Sequence, residues 1–90
     1  FSVILGAEDY KGSKPSPEGY QKAMNMMAVD PSNVLVFEDS EPGIHSGRDA
    51  GAWVVAIQAA NFYKQNQSFA HIKIHDFIGI DERWVRSLKF

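Results

Sequence analysis

Ninety residues make room for one small domain and no more. With 44% hydrophobic and 22% charged residues and a net charge of −2, acids and bases interleaved, the composition is that of a soluble globular chain and offers no electrostatic case for nucleic acid or an anionic membrane. The absence of cysteine excludes disulfide scaffolds, thiol nucleophiles and cysteine-based zinc sites and is compatible with a reducing, cytoplasmic compartment, and no apolar run approaches the roughly 20 residues of a membrane span.

The first five residues, Phe1-Ser2-Val3-Ile4-Leu5, are β-branched and apolar and end at Gly6, which predicts a strand. Residues 7–14 are polar, contain Gly12 and Ser13, and read as a loop. Ser16-Pro17-Glu18 is a helix-start signal: a serine to cap, a proline that loses no hydrogen bond in the first turn, and an acid at the positive end of the dipole. Tyr20, Ala23, Met24 and Met27 then fall on one helical face, and Asp30-Pro31-Ser32 is expected to end the helix. Val34-Leu35-Val36-Phe37 is a continuous apolar run of the kind covered on both faces in parallel sheets. Ser40 or Glu41 with Pro42 opens a second helix running to about Ala50, with Gly51 as its stop and Ile44, Gly47 and Ala50 toward the sheet. Residues 53–57 form another buried-type strand and residues 59–69 a loop with at most a helical turn. Residues 72–74 are a last strand, and residues 81–88 a short helix with Trp84 and Leu88 on one side. This alternation predicts an α/β, three-layer, Rossmann-like parallel sheet of about four strands with flanking helices and right-handed crossovers.

In open parallel sheets, ligands bind beyond the C-terminal ends of the strands. Two polar clusters belong there: Lys14-Pro15 after the first strand and Glu38-Asp39 directly after the most apolar one. Carboxylates at the end of a hydrophobic strand are costly unless a divalent cation or a lysine neutralises them. Two adjacent carboxylates supply part of an octahedral Mg²⁺ shell and not all of it. A cation, a lysine and carboxylates on one sheet edge are the parts phosphoryl transfer requires. Taken alone, the acidic pair reads more simply as a helix cap and Lys-Pro as a turn. His45, His71 and His75 lack metal-ligand spacing and read as surface or structural, and Trp53 and Trp84 as packing.

Taken in order, Lys14-Pro15-Ser16-Pro17-Glu18-Gly19-Tyr20, then Val34-Leu35-Val36-Phe37-Glu38-Asp39-Ser40-Glu41-Pro42-Gly43-Ile44, then Ala50-Gly51-Ala52 and the strand after it, resemble the haloacid dehalogenase superfamily. The closest likeness is to the group similar to β-phosphoglucomutase and phosphoglycolate phosphatase. The likeness covers about the first 58 residues and reverses the preference for a mere cap. It implies that residues 1–90 are the C-terminal portion of a core domain. It assigns Lys14 as the catalytic lysine that holds the phosphoryl group, Glu38 and Asp39 as metal-binding acids for Mg²⁺, and Ser40 as a loop-positioning residue in contact with phosphate or substrate. The implied partner is a small phosphorylated metabolite, the implied intermediate an aspartyl phosphate.

The departures matter as much. The family's Asp-x-Asp-x-Thr nucleophile segment does not occur, and the sequence contains no threonine at all. The nucleophile strand and the substrate-selecting cap domain are likewise absent from these residues, and the chain opens on Phe1 within a strand, so it reads as part of a longer enzyme, inactive by itself. A receiver-like phospho-acceptor domain also combines acids with Lys-Pro, but there the acids come early and Lys-Pro last, the reverse of the order here. The remaining alternative is a non-catalytic binding or interaction module, with an exposed sheet edge and apolar surface open to self-association.

Overall fold

A computed structural model describes residues 1–6, 17–61 and 64–88. Strands β1 (Ser2–Leu5), β2 (Val34–Glu38), β3 (Trp53–Ile57) and β4 (Ile72–Ile74) lie side by side in chain order, all parallel. Helix α1 (Glu18–Met27) connects β1 to β2, α2 (Glu41–Asp49) connects β2 to β3, and α3 (Glu82–Ser87) follows β4. All five residues of β2 are buried, which is why an unbroken apolar run could be read as a strand covered on both faces.

Strand alternation divides the core in two. Val34 and Val36 of β2 and Val54 and Ala56 of β3 pack with Met24 of α1 and Ile44 of α2 on one face. Leu35, Phe37 and Val55 point to the other, where Trp84, Val85 and Leu88 at the C-terminal end of the chain cover them. The result is the expected three-layer α/β sheet, with α1 and α2 on one side and α3 on the other.

Helix α2 matches its sequence signals. The Ser40 hydroxyl accepts the Gly43 N–H at 3.1 Å, Pro42 sits in the first turn, and Gly51 takes φ 94° just past the end. Ile44, Gly47 and Ala50 are buried as expected. A Cβ on Gly47 would come within 3.0 Å of Val54 and 3.2 Å of Val36, so glycine sets the closeness of helix to sheet.

Helix α1 departs from expectation at both ends. Pro17 occupies the N-cap position without a side-chain cap bond, and the expected capping residue, Ser16, lies outside the described residues. The helix stops at Ala28, which takes a left-handed φ of 55° and donates its N–H to Asn25. The expected stop at Asp30-Pro31-Ser32 instead builds a short 3₁₀ turn, Pro31–Asn33, on which the Asp30 carboxylate accepts the Ser32 N–H. Met24 takes the core position while Met27, expected on the same face and the last residue of the helix, is exposed.

Among the described residues, the third layer leaves the outer face of β1 uncovered. Ile4 packs toward α1 and α2, but Phe1, Val3 and Leu5 face a groove of about 490 Å³ whose other walls include Phe37, Phe77, Ile80 and Val85.

His71 ties β3 to the segment before β4. Its N–H donates to the Val54 carbonyl and its Nδ1 accepts the Val54 N–H, both at 2.9 Å, and its ring meets Trp53 edge-on. An accepting Nδ1 requires a ring not protonated there. Burial, and then the charge of Arg48, hold this histidine below its ordinary pKa. The unfolded chain therefore binds a proton that the folded chain refuses once the pH drops below the ordinary histidine value, and stability falls with it. The expected outcome is a thermal midpoint that declines between about pH 7 and pH 5.5, with a shallower decline in His71→Gln, measured by circular dichroism.

Candidate active site at the end of β2

Glu38 is the last residue of β2 and lies 5% exposed. It continues the Val34–Val36 side of the strand, so its carboxylate enters the helical layer. There the Tyr20 hydroxyl of α1 donates to Glu38 Oε2. Two glycines complete the enclosure. A Cβ at Gly6, beyond β1, or at Gly43, in the first turn of α2, would overlap the Glu38 carboxyl group. Gly6 and Gly43 are thus matched to one side chain: each leaves the space that the carboxylate fills. Burying an ionised carboxylate costs several kcal/mol unless donors compensate. Tyr20 is suited to that task, since burial first, and then the hydrogen bond to and charge of Glu38, push its pKa well above the ordinary value and keep its proton in place.

Asp39 follows, half-buried and just beyond the strand. Its charge also contributes to raising the Tyr20 pKa. Its main chain is held from the far side of the site: the Gln67 side-chain amide, itself only 8% exposed, donates at 3.0 Å to the Asp39 carbonyl and at 3.0 Å to the Ile57 carbonyl at the end of β3. Ser40 serves as the cap of α2, and a hydroxyl that accepts one bond still has its own proton to donate. The Glu41 N–H, another amide at that helix end, donates to Gln65 Oε1 at 2.8 Å. Lys14, assigned as the catalytic lysine, lies outside the described residues.

The structure therefore brings Glu38, Asp39 and Ser40 to the C-terminal end of the sheet, the edge the topology favours, and gives the two acids different surroundings. Among the described residues no group of three or more His, Cys, Asp or Glu side chains is placed to hold a metal ion. The sequence places Tyr20 on the apolar face of α1 without a polar role and gives none to Gln65 or Gln67. Its place at the end of the family-like Lys14–Tyr20 segment marks Tyr20 as a residue of interest but does not give its partner. The two glutamines carry no local signal, because the residues they hold, at the start of α2 and just past the end of β2, are 24 and 28 positions away.

The model of the haloacid dehalogenase-like hydrolases matches residues 1–57, the stretch from β1 through β3 that builds this site. The chain belongs to that family. It is 42% identical over 57 residues to the bifunctional riboflavin kinase/FMN phosphatase of Arabidopsis thaliana, a match covering 63% of this chain and 15% of that protein. It is 36% identical over 89 residues to glycerol-1-phosphate phosphohydrolase 1 of Saccharomyces cerevisiae, covering 88% of this chain and 36% of the yeast protein. Among solved structures, a haloacid dehalogenase hydrolase of family IA, variant 3, from Entamoeba histolytica superposes with a TM-score of 0.66 at 33% identity over 86% of this chain and 36% of that one. The chain thus spans well under half the length of these relatives, and both named relatives are phosphatases, at least in part, by description.

The Glu38 enclosure has a measurable consequence. Tyr20→Phe removes a donor from a buried carboxylate and is expected to lower unfolding stability by about 1–3 kcal/mol. Gly43→Ala forces that carboxylate aside and is expected to cost a similar amount, about 1–3 kcal/mol, through overpacking. Urea denaturation midpoints of the two variants against the unmodified chain check both.

Proposed function

We propose that this chain contributes the lysine-and-acid side of the active site of a Mg²⁺-dependent phosphatase or phosphomutase. Its substrate is a small phosphorylated metabolite and its intermediate an aspartyl phosphate whose nucleophile lies outside these 90 residues. The observation that carries the reading is the buried acid at the end of β2, enclosed by Tyr20, Gly6 and Gly43, inside the segment shared with the family. Asp39, half-buried and at the strand end, is the carboxylate fitted to hold Mg²⁺ as one of its oxygen ligands. Glu38, enclosed as it is, fits the role of a neighbouring acid that fixes the loop and adds negative charge beside the ion. When bound, Mg²⁺ supplies neutralisation of the transferring group's charge. Lys14 would hold the phosphoryl oxygens, and Ser40 would hold the loop in register with the helix end.

The 90 residues supply part of such a site, and the isolated chain is expected to show no turnover of p-nitrophenyl phosphate with Mg²⁺. In a longer protein containing this segment and an Asp-x-Asp-x-Thr nucleophile, Asp39→Asn is expected to reduce kcat by on the order of 10²-fold or more. Turnover by the isolated chain would sink the assignment, as would an Asp39→Asn variant of the longer protein with undiminished activity.

One observation favours a second reading, that of an interaction module. Phe1, Val3 and Leu5 line an open apolar groove on the side of β1 that α3 leaves uncovered, and β1 is an edge strand of the sheet. A surface of this kind is covered by self-association in the isolated chain. Light scattering is expected to show a concentration-dependent dimer that Leu5→Lys shifts to monomer. A strictly monomeric chain at high concentration would remove this reading.

A further inference from the structure

The segment between β3 and β4 has no regular secondary structure in its described residues, yet it is fastened at several points. Asn61 donates from Nδ2 to the Gln65 carbonyl at 2.7 Å and accepts the Gln65 N–H at 2.8 Å. This brace holds Gln65, whose side chain accepts the Glu41 N–H at the start of α2. Two residues on, Gln67 turns inward and is buried. Phe69 then lies against the outer face of α2, its ring stacked on His45 at 4.2 Å between centroids, with the Arg48 guanidinium 4.3 Å from the ring centre. Arg48 also donates to the Phe69 carbonyl at 2.8 Å.

The placement of the Gln67 amide is what separates this from an ordinary loop tether. The last register pair of β2 and β3 is Glu38 with Ala56. Asp39 and Ile57 are the residues immediately past that pair, Asp39 beyond the end of β2 and Ile57 the last residue of β3, paired on its other side with Ile74 of β4. One NH₂ group of Gln67 donates to both carbonyls. A primary amide has two N–H bonds, so a single side chain can satisfy two carbonyls at once, which neither a hydroxyl nor a carboxylate can do. The site thus has a donor from a different part of the chain gripping the backbone of Asp39, the acid proposed to hold Mg²⁺.

We infer that Gln67 is a positioning residue of the active site: by holding the Asp39 and Ile57 carbonyls together it fixes the backbone from which the Asp39 carboxylate projects, with Gln65 setting the adjoining helix end. The functional half of this inference rests on the reading of Asp39 as a metal-holding acid; the positional half stands without it. Groups that orient a metal-holding residue typically change metal affinity by about 10- to 100-fold when removed.

The test uses the 90-residue chain and three variants. Gln67→Met keeps the volume and removes both donors. Gln67→Asn keeps an amide on a shorter stem. Phe69→Leu loosens the same segment at the outer face of α2 without touching Asp39. Amide hydrogen exchange without metal reads the positioning. Gln67→Met is expected to speed exchange at Ser40, Glu41 and Gly43 by about fivefold or more, Gln67→Asn less, and Phe69→Leu not at all. Titration with Mn²⁺, followed by relaxation broadening at the Asp39 and Ser40 amides, reads the metal. Weak binding that Asp39→Asn abolishes is expected to weaken about tenfold in Gln67→Met and to stay unchanged in Phe69→Leu. Unaltered exchange in both Gln67 variants overturns the inference, as does an equal effect of Phe69→Leu, which would make the segment a structural strap. If Gln67→Met does not fold, Gln67→Asn decides by the same exchange readout. Absence of Asp39-dependent Mn²⁺ binding in the unmodified chain counts against the metal reading of Asp39, and the exchange result then decides the positional role by itself.

Discussion

A buried carboxylate organises this fold. Glu38 ends the most deeply covered strand of the sheet, and each element that surrounds it yields something to it: β1 ends in Gly6, α2 opens with Gly43, and α1 contributes the Tyr20 hydroxyl. The sheet could not close around a carboxyl group without such arrangements, since burying a polar group that lacks space and partners costs several kcal/mol, a large share of the net stability of a small domain. An acid at the end of an otherwise aliphatic strand is a local conflict with the core, and conflicts of this sort are where function tends to reside.

The two acids divide the work because a strand end is a boundary. Glu38 still obeys the alternation that sends Val34 and Val36 into the helical layer, whereas Asp39 stands past the ladder, half-buried. A contiguous pair in sequence is therefore one enclosed acid and one available acid in space. The same boundary explains the need for Gln67: main-chain groups that leave a ladder inside a covered region require partners from elsewhere. A long polar side chain from the following loop meets that need, and by doing so it couples the loop to the site.

The α/β alternation, the continuous burial of β2 and the start and stop of α2 were all legible, because each depends on neighbours within a few residues: a serine three positions before the amide it caps, a glycine past a helix end, an apolar run too uninterrupted to face water. Membership in the haloacid dehalogenase-like hydrolases was legible for a related reason, since its motifs are short strings at strand ends. The end of α1 was less so. Ala28 adopts a left-handed conformation that its residue type does not favour, and Met27, at the last position of the helix, is exposed although its spacing puts it on the face of Met24.

The sequence by itself determined that a parallel sheet would place Glu38 and Asp39 at its C-terminal edge, because hydrophobic periodicity and capping act along the chain. The tertiary structure alone decided that Tyr20 would cover Glu38, that Gly6 and Gly43 would make room for it, and that Gln67 would hold the backbone of Asp39. Those contacts join residues 18 and 28 positions apart in the two hydrogen-bonded cases. The packing of helices against the sheet creates such partnerships, and no pattern of neighbouring residues encodes them.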